Sequence, residues 1–121
     1  MAFGATLTIT INAVAIIMNR INQDNYGSEY YLHTALSDYR VKIRHTKEPA
    51  TKAGVIVDRH NVDFTQTIFA TLTVPQIVRN VFLVGRYQTT DDLTAEFQFM
   101  DGFFSYVRGG TVETDLIAWM S

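Results

Sequence analysis

Three basic residues at every second position, Arg40, Lys42 and Arg44, are the strongest chemical signal in the chain. At strand geometry they stand about 7 Å apart on one face, close to a nucleotide step. Guanidinium and ammonium groups so spaced can neutralise successive phosphates. Further along, Arg59, Asn61, Thr65 and Thr67 also fall on alternate positions, adding donors and acceptors able to read base edges. Asn80 and Phe82 would extend the set, Phe82 as a stacking surface for an unpaired base. The alternative is an ordinary solvated sheet face, and Asp63 on the same side favours that alternative.

Catalytic chemistry has no comparable support. His33, His45 and His60 are the only histidines, and none has metal-ligand spacing. His45 and His60 alternate with apolar residues and read as core or boundary histidines. With no cysteine, disulfides, thiol catalysis and thiolate metal sites are excluded. Nucleophile-elbow, dinucleotide and phosphate-loop patterns are missing, and Asp91 and Asp92 read as helix caps. No enzyme, cofactor or metal is expected.

The elements that must position the basic residues follow from periodicity. The 121 residues predict one domain, with a hairpin in 1–21, a sheet in 28–88 and helices in 90–120. Leu7, Ile9 and Ile11 alternate with threonines, and Val14 to Met18 returns after a turn at Asn12-Ala13. Asn22 to Ser28 reads as a loop, Tyr30 to Leu36 as a strand and Ser37-Asp38 as a turn. Tyr39 to Thr46 and Ile56 to Ala70 are long strands, with Tyr39, Val41, Ile43, Val62 and Phe64 on the apolar face. Thr71 to Gln76 is a short loop. Val78 to Tyr87 is apolar on both sides; Val81, Leu83 and Tyr87 are assigned to the core, and Asn80, Phe82, Val84 and Arg86 opposite.

The period changes at Thr90, which reads as the cap of a helix carrying Leu93, Phe97, Met100, Phe104 and Val107 on one stripe and Phe99 and Phe103 on another. Gly109-Gly110 stops it, and Val112 to Met120 forms a second helix with Leu116 and Trp119. Strands first and helices last give an α+β fold with an antiparallel sheet. Two helices of about 10 Å diameter cannot cover the sheet. The first stripe can lie on the chain's own sheet while Phe99, Phe103 and the Trp119 helix meet a second copy; alternatively, Phe99 and Phe103 lie beneath the chain's own hairpin. Ten basic and twelve acidic residues give a formal net charge of −2, yet six basic residues fall between 40 and 59, so one basic face is expected. No run of 18 apolar residues suggests a membrane span, and the N-terminus lacks the basic region of a secretory signal.

The chain resembles the coat proteins of single-stranded RNA bacteriophages of the levivirus type. The resemblance is carried by Tyr39-Arg40-Val41-Lys42-Ile43-Arg44-His45, by the block from Asp58-Arg59-His60-Asn61 to Ala70-Thr71, and by a last strand followed by Thr89-Thr90-Asp91-Asp92-Leu93 and two helices. It implies an N-terminal β-hairpin, a five-stranded antiparallel sheet and two C-terminal helices interlocked in a homodimer with a ten-stranded sheet. It further implies an icosahedral virion shell assembled in the bacterial host cytoplasm, with single-stranded genomic RNA on the inner sheet face and an RNA hairpin as translational operator. Residue by residue, it places RNA contacts on Arg40, Lys42, Arg44, Asn61, Asp63, Thr65, Asn80 and Phe82; Arg59 joins them from the spacing argument. The aspartate at position 63 departs from the basic residue of better-known members and weakens the operator expectation. The dimer interface would hold Phe97, Phe99, Met100, Phe103, Phe104, Leu116 and Trp119, and the loop Thr73, Val74, Pro75 and Gln76 would line the symmetry axes. A cellular dimeric RNA-binding module, or a small α+β ligand carrier, remains as an alternative.

Overall fold

The computed structural model describes residues 3–120; Met1, Ala2 and Ser121 lie outside the described residues. Six strands form one antiparallel sheet in sequence order: β1 (Thr6–Ile11), β2 (Val14–Asp24), β3 (Gly27–His33), β4 (Ser37–Lys47), β5 (Val57–Ile68) and β6 (Ile77–Gln88). Two helices follow, α1 (Leu93–Arg108) and α2 (Val112–Ile117). The α+β reading holds.

The expected hairpin and five-stranded sheet share a strand. The first half of β2 pairs with β1 and its second half with β3, with a register shift between Arg20 and Asn22. Such an irregularity bends a strand and increases its twist. The hairpin thereby curls over the sheet, and Leu7, Ile9, Ile16 and Met18 pack against Tyr30, Val41 and Ile43. The Tyr30 hydroxyl donates to the Gly4 carbonyl at 2.6 Å and ties the chain's start to this core. Asn12 and Ala13 both have positive φ, the twist that a two-residue hairpin turn requires.

The polar stretch expected as a loop from Asn22 to Ser28 is mostly strand. Only Asn25 and Tyr26 turn the chain, with the Asp24 carboxylate accepting from the Tyr26 N–H at 2.8 Å. Polar composition signalled solvent rather than irregular backbone. The next turn falls at Thr34 to Leu36 rather than at Ser37-Asp38. There the Thr34 hydroxyl accepts from the Ser37 N–H at 3.0 Å, and Ser37 and Asp38 begin β4.

At the helix start, Asp92 is the cap rather than Thr90, accepting from the Ala95 N–H at 2.9 Å. Gly109 ends α1 as expected, while α2 ends at Ile117, short of Met120. Trp119 then takes a left-handed φ as the chain turns back. Neither helix buries a residue, and neither packs along the sheet; α1 rests on α2. The Leu93 to Phe104 stripe therefore does not cover the chain's own sheet. Nor do Phe99 and Phe103 lie beneath the hairpin, whose apolar side is spent on Tyr30, Val41 and Ile43.

Candidate functional site

Strand register brings the chemistry-bearing residues onto one face in ordered rows. Arg40 lies opposite Thr65 and then Asn80; Lys42 opposite Asp63 and then Phe82; Arg44 opposite Asn61 and then Val84; Thr46 opposite Arg59 and then Arg86. The ladder places Phe82 and Asn80 on the same side as Lys42, and Val81, Leu83 and Tyr87 on the apolar side. Phe82 is largely exposed, so its ring is available for stacking.

The same ladder brings in residues that the sequence pattern left out. β3 contributes Glu29 opposite Lys42 and Tyr31 opposite Arg40. Arg40 Nη1 is bonded to Glu29 Oε1, and its guanidinium lies 4.9 Å from the centre of the Tyr31 ring. Extending the alternation of β4 onto residues 27–33 would have found both, once that segment was recognised as strand. Arg44 reaches Asp24 at 3.4 Å, and Arg86 grips Glu48 with two bonds of 2.7 and 2.5 Å. The Arg86 guanidinium holds the Glu48 carboxyl below its ordinary range. Asp38 is held low by the Tyr31 hydroxyl at 2.8 Å, with His33 at 2.6 Å adding to the effect.

The expected basic face is therefore a charge-matched one. Asp24, Glu29 and Glu48 occupy Arg44, Arg40 and Arg86, and Asp38 and Asp63 add further negative charge. Lys42 and Arg59 are the cations of this face with no ion pair among the described residues. Asn80 Nδ2 donates to Asp63 Oδ1 at 2.6 Å and to Thr65 Oγ1 at 2.8 Å, so these three side chains hold one another. Asn61 Oδ1 is enclosed without a hydrogen-bond partner. Beside this network, Asp38, Arg40, Lys42, Asp63, Thr65 and Thr67 line a hollow of about 340 Å³.

The residues expected to meet a second copy are open to solvent. Phe99 is 76% exposed and Trp119 94%, with Phe97, Phe103 and Leu116 also exposed. Met100 and Phe104 are half-covered. In the loop after β5, the Thr71 hydroxyl accepts from the Val74 N–H at 3.0 Å and Val74 O from the Thr71 N–H at 2.8 Å. That closes a turn projecting Leu72, with Thr73, Val74, Pro75 and Gln76 exposed. No helix is long and apolar enough to cross a membrane among the described residues.

Comparison with solved structures shows the same fold at low sequence identity. The chain matches a virus-like particle of Beihai levi-like virus 21 with a TM-score of 0.71 at 11% identity, covering 97% of this chain and 95% of the other. It matches a virus-like particle of bacteriophage AVE019 with a TM-score of 0.68 at 9% identity, covering 96% and 94%. No curated protein sequence matches the chain. The family model described as "Phage phiCb5, coat protein" matches residues 4–88, the hairpin and the whole sheet. The chain belongs to the phage phiCb5 coat protein family, and is thus a non-enzymatic structural protein of a phage capsid.

Proposed function

We propose that the protein acts as an interlocked homodimer that assembles into a closed icosahedral shell around single-stranded RNA, the polar sheet face inward. The carrying observation is the unpartnered apolar surface of α1 and α2 beside an uncovered half of the sheet. The hairpin covers β3 and β4, whereas on β6 Val81 is 73% exposed and Leu83 only half-buried. The chain exposes 9542 Å². A globular monomer of its mass exposes about 6,600 Å², leaving an excess of roughly 2,900 Å² per chain. Covering that excess calls for an interface of the obligate kind. A partner's α1, laid over Val81 and Leu83 with Phe99 and Phe103 inward, satisfies both surfaces at once. β6 is an edge strand of the sheet, at the end away from the hairpin, so pairing it with its twofold mate continues the sheet across the dimer. The Thr73 to Gln76 turn then meets its symmetry copies at the axes of the shell.

For RNA, the near-neutral face favours many weak contacts over one tight contact. Lys42 and Arg59 supply free positive charge, Phe82 an open ring, and the hollow by Thr65 room for an unpaired base. Repeated over a shell, such contacts sum to firm retention. Repression of translation through a single hairpin needs a tighter complex, and the Asp63 carboxylate opposes it. Assembly in the bacterial host cytoplasm, where the RNA is made, follows from this reading.

Negative-stain microscopy and the 260/280 nm absorbance of the protein expressed alone test the proposal. Uniform particles with a nucleic-acid spectrum are expected; free monomers without RNA refute it. Lys42→Glu should leave the particles intact and lower their RNA content, and should reduce the salt dependence of RNA binding by about one counterion. Arg40→Glu is a poorer probe than the spacing suggests, because it sets a second carboxylate against Glu29.

A further inference from the structure

Arg59 and Arg86 are register partners across β5 and β6, on the polar face and in the row that begins with Thr46. Like charges directly opposite each other repel, so such a pair calls for an anion. The chain supplies one of its own. Glu48 continues the polar alternation of β4 one step beyond Thr46, with its N–H donating to the Val57 carbonyl at 2.9 Å. Its carboxylate accepts from Arg86 Nε at 2.7 Å and from Arg86 Nη2 at 2.5 Å. These bonds hold the Glu48 carboxyl low, and Arg59 adds a smaller pull. Arg59 itself makes no ion pair among the described residues.

This is the geometry of an anion site filled from within. A guanidinium offers two parallel bonds to carboxylate and phosphate alike. The carboxylate engages Arg86 alone, whereas the two charged oxygens of a phosphodiester can bridge both guanidiniums. The Arg86 side chain is 59% exposed, so an anion can approach it from the polar face. Glu48 is fixed at its backbone, but its side chain can swing out without disturbing the ladder. The row lies four residues along β5 from the one holding Lys42, Asp63 and Phe82. At strand rise that is about 13 Å, close to two nucleotide steps.

We infer that Arg59 and Arg86 form a phosphodiester site for the RNA chain, occupied by Glu48 until RNA displaces it. The inference rests on the RNA reading of the polar face given above. The exchange breaks the Arg86–Glu48 pair and returns the carboxylate to water. In its place the phosphate gains the second guanidinium. Neighbouring nucleotides held at Lys42 and Phe82 keep that phosphate at high local concentration. A free phosphate ion has no such neighbours, so Glu48 favours anions joined in a chain over single ones.

Protein stripped of RNA in high salt, then mixed with a fluorescent oligouridine at stepped salt concentrations, tests the site. Glu48→Gln should raise affinity about two- to fivefold, the range of an exposed ion pair. It should also steepen the log–log salt dependence by about 0.7, one more counterion released from a single strand. Arg86→Gln should weaken binding, and in that background Glu48→Gln should lose most of its gain. Glu48→Ala must show the same gain, and serves should the amide variant fail to fold. An equal gain with and without Arg86 overturns the inference, because Glu48 then acts only as a negative charge on the face. RNA binding by the wild type with no gain in Glu48→Gln or Glu48→Ala overturns this inference alone. No RNA binding by any variant overturns the RNA reading and the inference with it. Inorganic phosphate replacing chloride at equal ionic strength should lower oligouridine binding less than about twofold. A larger loss overturns the assignment to RNA in favour of free phosphate.

Discussion

The two halves of the apolar sheet face have opposite fates. Over β3 and β4, the hairpin closes a core in which Tyr30, Val41 and Met18 are at most 1% exposed. Over β5 and β6, Val62 and Phe64 are half-covered, Val81 is open, and both helices stand clear of the sheet. The first half is complete within one chain. The second has the composition of a core without the contacts of one. Apolar surface of this extent is stable in water only when something covers it. The difference therefore separates what holds the protomer together from what joins protomers.

Substitutions can break either half separately. The largest effect belongs to the open half: Phe99→Glu combined with Phe103→Glu should abolish particles, with analytical ultracentrifugation showing only small species. Unchanged particles would mean that α1 faces solvent in the assembly. In the closed half, Met18→Ala removes a fully buried side chain and should cost about 2–5 kcal/mol in denaturant unfolding. Particle shape should survive below the lowered unfolding midpoint.

A smaller effect lies on the polar face. The Tyr31 hydroxyl, and then His33, hold the Asp38 carboxyl below its ordinary value of 3.8. A carboxyl depressed by folding adds stability above its unfolded pKa, and that stability is lost as the pH falls through the folded pKa. Asp38→Asn should therefore flatten the loss of stability below about pH 4 in acid-unfolding curves, at some cost near neutrality. Smallest is Ala13→Gly. Ala13 sits at φ 66°, where a Cβ is strained, so glycine should raise stability by about 0.5–1 kcal/mol, read from the same denaturant curves. A loss there would mean that the hairpin turn differs from the one described.

The alternation of Tyr39, Val41 and Ile43 with Arg40, Lys42 and Arg44 was legible because side chains on a strand point to opposite faces in turn. The same rule assigned Val81 and Leu83 to one face and Asn80 and Phe82 to the other. The helix after Thr90 was readable from its apolar spacing, and its end from Gly109. Strand ends were less legible where polar residues lie on paired backbone, as from Asn22 to Asp24. A backbone hydrogen bond in a ladder leaves no mark on side-chain composition.

Sequence alone determined which residues share a face, because that follows from local geometry. Tertiary structure decided which of them meet across strands. It set Glu29 against Arg40 and Glu48 against Arg86, turning a basic stripe into a matched one. It brought two histidines fifteen residues apart to 2.9 Å. It also carried α1 away from its own sheet. Register and docking depend on pairings between distant segments, whose energies are shared by the whole fold and are not written in any one stretch of chain.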